Sequence, residues 1–210
     1  MIKMKGTKEI CRLLKEDANQ KENCNLCKDA AYKVGEKTGY GAVIFKIGNK
    51  KNGWFATLSP QTGGNPEFDF TVQIMPLMHL THFSQIGSYP KLAENYGIIF
   101  SKISSAMAQV MINNENLSAE ADDKSNSVPI AAYGKCTTWK EKKEHLHIKV
   151  FPFRGNIGQP YTVDSSFEKK EVFMEKGGKE FVKMAPVKKA VIDSGRFEKL
   201  AKRLALLLKK

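Results

Sequence analysis

The chain has 210 residues, 41% hydrophobic and 27% charged, with 34 Lys and Arg against 22 Asp and Glu and a net charge of +12. That length holds one substantial core, or one core with a small appendage, and the composition is that of a compact, soluble protein. No run reaches the ~20 apolar residues that cross a bilayer. The opening MIKMKGTKEICRLLKED carries charges where a secretory signal needs an apolar centre, so the expectation is a cytoplasmic protein with no membrane association. The positive balance favours anionic partners, phosphates and nucleic acid among them. Lysines distributed along the whole chain fit a solubilised surface equally well, and no arginine-rich run singles out nucleic acid.

In chain order, Ile10, Leu13 and Leu14 within Thr7 to Asp17 have helical spacing and predict a short amphipathic helix. Cys24 and Cys27 follow in a C-x-x-C. The four cysteines, Cys11, Cys24, Cys27 and Cys136, are few for a disulfide scaffold of this length. GAVIFKIG and GWFATLS, separated by the turn-prone GNKKNG, read as a β-hairpin, and FTVQIMP as a third strand leading to His79. Between Lys91 and Ile112 the residues Leu92, Tyr96, Ile99, Ile103, Ala106 and Val110 step by four and three, as one face of a long helix requires. A polar loop from Asn113 to Asn126, the strands VPIAAYG and EHLHIKVFPF, a VFMEKGGKEFVKM hairpin turning at Gly177 and Gly178, and a closing helix complete the chain. That last helix carries Phe197, Leu200, Leu204, Leu207 and Leu208 on one side, a stripe expected to pack on its own domain. Its basic opposite side leaves a membrane-surface or partner-binding role as the alternative. The pattern is α+β.

Side chains in a strand alternate faces, so His145, His147 and Lys149 of HLHIK should project together while Leu146, Ile148 and Val150 point to the core. Successive members lie about 7 Å apart, close enough to address different parts of one phosphoanhydride or different roles in one site. A polar solvent face is the structural alternative. Cys24 and Cys27 have the spacing that aims two thiolates at one tetrahedral zinc ion, which needs two further ligands. The histidines of the chain are His79, His82, His145 and His147, so a Cys-Cys-His-His set is available. A redox role fits less well, because the pair lacks the strand-then-helix context of a thioredoxin-like site.

HLHIKVFP resembles the histidine-triad pattern, in which alternating histidines on a strand are followed by apolar residues and a proline. CNLCKDA resembles the opening turn of zinc-containing members of that superfamily, FATLSPQ the segment lining its nucleoside pocket, and VQIMPLMHLTHFSQI its apolar strand, proline and zinc-binding histidine. The resemblance spans approximately Asn23 to Arg154. It implies a histidine-triad-like antiparallel sheet flanked by helices, usually a homodimer. The implied organisation is an N-terminal helical extension over residues 1–22, the histidine-triad-like domain over 23–154, and a C-terminal extension over 155–210 packed on the same domain. Cys24, Cys27, His79 and His145 would hold a structural zinc ion, and His147 would be the nucleophile toward the α-phosphate of a nucleotide-type substrate. Leu26, Thr57 and Leu58 would line the nucleotide pocket. His82 would be an ordinary polar residue.

Two positions depart from the family pattern. Lys149 stands where the usual triad has its third histidine. It offers the phosphate a cation but shuttles protons poorly unless burial lowers its pKa. Thr57 stands where many family hydrolases place an acidic residue on the ribose, and it offers one hydroxyl and no charge. The implied function is a nucleotidyl hydrolase or transferase working through a nucleotidyl-histidine intermediate. The alternative is a non-catalytic nucleotide or nucleic-acid binding module with a degenerate triad.

Overall fold

The computed structural model describes residues 24–63, 65–114, 130–135, 145–152, 170–174, 180–184 and 190–209. The sequence-predicted helix over Thr7 to Asp17, Cys11, Cys136, the lysine-rich WKEKKE segment and the Gly177-Gly178 turn lie outside these residues.

The frame is a six-stranded sheet of β1 (Lys37–Thr38), β2 (Gly41–Ile47), β3 (Trp54–Leu58), β5 (Val72–Pro76), β7 (His147–Pro152) and β6 (Ile130–Lys135), in that spatial order. Every neighbouring pair is antiparallel. β2 and β3 form the expected hairpin. Its turn is made by Asn49, whose side chain accepts from the Lys51 amide and whose carbonyl accepts from the Gly53 amide, with Gly48 at φ +75°. Short polar side chains bonded to their own backbone, and a glycine free of the Cβ clash at positive φ, are what such a turn requires. β8 (Lys170–Met174) and β9 (Glu180–Met184) pair antiparallel, as the VFMEKGGKEFVKM pattern predicts.

β7 begins at His147, three residues into the EHLHIKVFPF pattern. Ahead of it the Leu146 amide bonds the Leu80 carbonyl at 2.6 Å, joining the approach to β7 to the loop after β5.

One face of the sheet carries the main core. Trp54, Ala56, Leu58, Val72, Ile74, Ile148 and Val150 pack there against Leu92, Ile99, Ile103 and Val110 of α2 (Pro90–Asn114) and Phe197, Leu200, Leu204 and Leu208 of α3 (Ser194–Leu208). Pro90 opens α2, where a missing amide hydrogen costs nothing. The indole of Trp54 donates to the Leu92 carbonyl at 2.8 Å, locking the helix onto β3. The opposite face carries a smaller core of Phe55, Met75 and Leu77 with Ala30, against which Leu26 packs. Leu26 and Ala30 belong to the turn around α1 (Asn25–Asp29).

The segment leading into α3 is tied to the stretch after β3 through a separate two-stranded sheet. β10 (Ala190–Val191) pairs with β4 (Gln61–Thr62), the Ile192 amide bonds the Pro60 carbonyl at 2.9 Å, and Asp193 caps α3 through the Arg196 amide at 3.0 Å. The apolar stripe of α3 is therefore spent on its own domain. Among the described residues no helix is long and apolar enough to cross a membrane. Truncating Leu204 to Ala should lower unfolding free energy by about 2–5 kcal/mol. The same change at Leu206, which is 64% exposed, should stay within about 0.5 kcal/mol. Urea denaturation followed by circular dichroism distinguishes the two.

Candidate metal centre

Cys24 is the N-cap of α1 and Cys27 lies within its first turn, so the three-residue spacing puts both sulfurs on one side of a helical turn. The Cys24 carbonyl accepts from the Lys28 amide at 3.1 Å, which closes that turn. Two strand ends bring histidines to it. His79 follows β5 after Pro76 and is buried, and His145 lies two residues before β7 and is buried.

The Nδ1 of His145 lies 3.6 Å from Cys24 Sγ and 3.4 Å from Cys27 Sγ, and the Nδ1 of His79 lies 3.3 Å from Cys27 Sγ. All four ligand atoms fall within 4.8 Å of one another. A tetrahedral zinc ion with Zn–S of about 2.3 Å and Zn–N of about 2.0–2.1 Å has S···N edges of about 3.5 Å. The observed separations have that size. The donor set of two thiols and two imidazoles is also a closed structural type, with no position left for substrate. The four residues therefore form a cluster able to hold a metal ion.

The His145 ring is oriented from behind. Its Nε2–H donates to the Pro76 carbonyl at 2.8 Å, which leaves the Nδ1 lone pair directed at the thiols. Burial pushes the His145 pKa down to about 4, against the opposing pull of the Pro76 carbonyl and with smaller repulsion from His79 and His147. A neutral ring is the form that binds metal. The rings of His79 and His145 meet edge to face, with centroids 5.0 Å apart.

His147 opens β7 and is half-buried, and its Nδ1–H donates to the His145 carbonyl at 3.1 Å. That bond fixes the tautomer and places the lone pair on Nε2. Lys149 shares the His147 face but is buried. It stands in a cross-strand row with Gln73 and Thr57, through the pairs Gln73↔Lys149 and Thr57↔Gln73. Thr57 is fully buried, and its hydroxyl has no hydrogen-bond partner among the described residues. The alternative of a polar solvent face does not hold for this strip, since His145 and Lys149 are buried and His147 is half-buried. On the outer face Lys149 and Thr57 are covered, while His147 and Gln73 beside them are half-buried.

Leu26 packs on the second core, on the same side as His147. Leu58 does not join it. Its side chain lies in the main core on the opposite face, so it does not wall a pocket with Thr57. The reason is strand alternation, because adjacent residues of β3 cannot share a face. His82 is more than a bystander: with Gln85 it forms a capping box that starts the 3-10 turn Phe83–Ser88. Sequence reasoning missed Asp29, a buried carboxyl in the cysteine turn with Oδ2 unpartnered among the described residues. Burial raises its pKa, partly offset by a hydrogen bond from Thr38. An acidic residue two places after the second cysteine is its only sequence signal.

Comparison of the chain with family models, curated proteins and solved structures returns no match. Elemental analysis should give about one metal equivalent per chain, and Cys27→Ser should lose it together with stability. After chelation, pH dependence should follow His145. Its folded pKa lies below the ordinary value of 6.5, at about 4. The unfolded chain therefore binds more protons in that window, and stability is full above about pH 6.5 and falls toward pH 4. A flat urea midpoint across this range in chelated protein would contradict the assignment.

Proposed function

We propose that this chain is a zinc-stabilised, histidine-triad-like nucleotidyl hydrolase or transferase, with His147 as its nucleophile. The observation that carries the reading is the pair of bonds running Pro76 carbonyl to His145 and His145 carbonyl to His147. The first aims the metal-binding nitrogen at the cysteine turn, and the second makes Nε2 of His147 the basic atom. A zinc ion held by Cys24, Cys27, His79 and His145 would supply structural rigidity there and take no part in bond making.

In the reaction, neutral His147 attacks the α-phosphorus of a nucleotide conjugate through Nε2. The Nε2–P bond forms as the bond from phosphorus to the leaving group breaks, and the leaving group departs with that electron pair and is protonated. Water, or a second acceptor, then attacks phosphorus and releases the nucleotide, returning the imidazole to its neutral form. Lys149, two residues along the same face, contributes a positive charge to the anionic phosphate. Leu26 is the apolar contact best situated for a base. The histidine-triad resemblance further implies a homodimer acting in the reducing cytoplasm, where free thiols persist.

Burial of Lys149 and Thr57 favours a second reading, a binding module that retains the zinc fold and handles nucleotides without turnover. Incubation with a fluorogenic nucleoside phosphoramidate and with a dinucleoside polyphosphate separates the two. Turnover by the wild type that falls about 10³-fold or more in His147→Ala, with metal content unchanged, is the expected result. Equal rates in both proteins remove His147 as nucleophile, and nucleotide binding without turnover selects the second reading.

A further inference from the structure

At the opposite end of β5 from the cysteine-histidine cluster, the turn before the strand meets the start of α3. Between them lies a groove of about 530 Å³ lined by Glu67, Phe68, Asp193, Arg196, Lys199 and Arg203, among others. Its side chains belong to neither the metal centre nor the His147 face.

Two features of this groove call for a ligand, and a third sets a membrane aside. The first is an ordered exposed aromatic ring. Phe68 is 49% exposed, yet its turn is tightly made. The Phe68 and Asp69 amides both bond the Asn65 carbonyl, at 3.1 and 2.7 Å, and the Asn65 and Glu67 amides bond the Asp69 and Asn65 side chains at 2.8 and 2.9 Å. Arg196 then clamps the turn from α3, donating to the Phe68 carbonyl at 2.9 Å and the Asp69 carbonyl at 3.2 Å. A floppy loop would let the ring fold away from water, and this one holds it out.

The second is unneutralised positive charge. Lys199 and Arg203 are exposed, and neither has an ion pair or hydrogen bond among the described residues. Four residues apart on one helix, they stand roughly 6 Å apart along its axis, of the order of the spacing between neighbouring phosphates in a strand. Exposed Lys202 adds charge on the same flank. Two carboxylates are present, Glu67 and Asp193, the second also capping α3, and together they oppose the three cations Arg196, Lys199 and Arg203.

The third is that α3 has no apolar side to offer a membrane. Phe197, Leu200, Leu204 and Leu208 are buried in the main core.

We propose that this groove binds single-stranded nucleic acid, with Lys199 and Arg203 on successive phosphates and Phe68 stacked against a base. A stacking platform beside a cationic track suits unpaired strands, because a duplex keeps its base faces to itself. The site is independent of the His147 reading and stands on the other side of the sheet.

The test is fluorescence anisotropy of the full chain with a labelled single strand of about 12 nucleotides, titrated with salt. The double variant Lys199→Glu/Arg203→Glu should bind at least about tenfold more weakly, with a salt slope shallower by about 1.4, the value for two lost phosphate contacts on a single strand. Phe68→Ala should weaken binding at least about fivefold, and Glu67→Gln should tighten it. His147→Ala should bind like the wild type whether or not the chain proves to be an enzyme. Because these side chains are exposed, unchanged urea midpoints certify folding of the variants. The proposal is overturned if the wild type does not bind the strand, or if charge reversal leaves affinity and salt slope unaltered. A duplex bound as tightly as the single strand, or anionic vesicles displacing the oligonucleotide, overturns it too.

Discussion

The imidazole of His145 is held at both nitrogens: Nε2 donates to the carbonyl of Pro76 and Nδ1 faces two cysteine sulfurs. Three separate stretches of chain meet on that ring. The cysteine turn is a five-residue helix too short to persist alone, and the cluster adds to the packing of Leu26 and Ala30 that holds it on the sheet. His79 and His145 sit where β5 ends and β7 begins, so the cluster also joins the two strands beyond their last paired residues. The carbonyl of His145 in turn orients His147. Whatever His147 does, its geometry is inherited from the cluster.

The sheet is covered on both sides, unequally. Two helices bury one face with large aliphatic and aromatic side chains, while among the described residues the other carries the Phe55, Met75, Leu77 and Ala30 patch and the cysteine turn. A small apolar patch contributes little burial free energy. A metal ion joining thiolates and imidazoles would add cohesion to this layer.

The same layer bears on chemistry. Lys149, Gln73 and Thr57 form a polar row across three strands, and two of its members are buried. An isolated buried hydroxyl such as that of Thr57 costs free energy unless something bonds it. A substrate phosphate or sugar entering this row would meet preorganised polar groups in place of water, where electrostatic interactions are stronger.

Much of this arrangement was legible in the chain. The hairpin at GNKKNG, the long helix from Leu92 to Val110 and the stripe of the last helix follow from periodicity and turn chemistry, which are local. That a Cys-Cys-His-His set was available followed from residue type, whereas the choice of His79 and His145 among the four histidines came from the histidine-triad resemblance. What only the tertiary structure decided are relations between segments distant in sequence. Lys149 and Thr57 are polar residues whose burial depends on cover from other elements. The role of Arg196 depends on carbonyls of Phe68 and Asp69 more than 120 residues away. Which nitrogen of His145 faces the sulfurs depends on a carbonyl at Pro76. Sequence pattern therefore determined the elements and the ligand types, whereas side-chain environment, tautomer and enclosure were set by through-space contacts that no local pattern encodes.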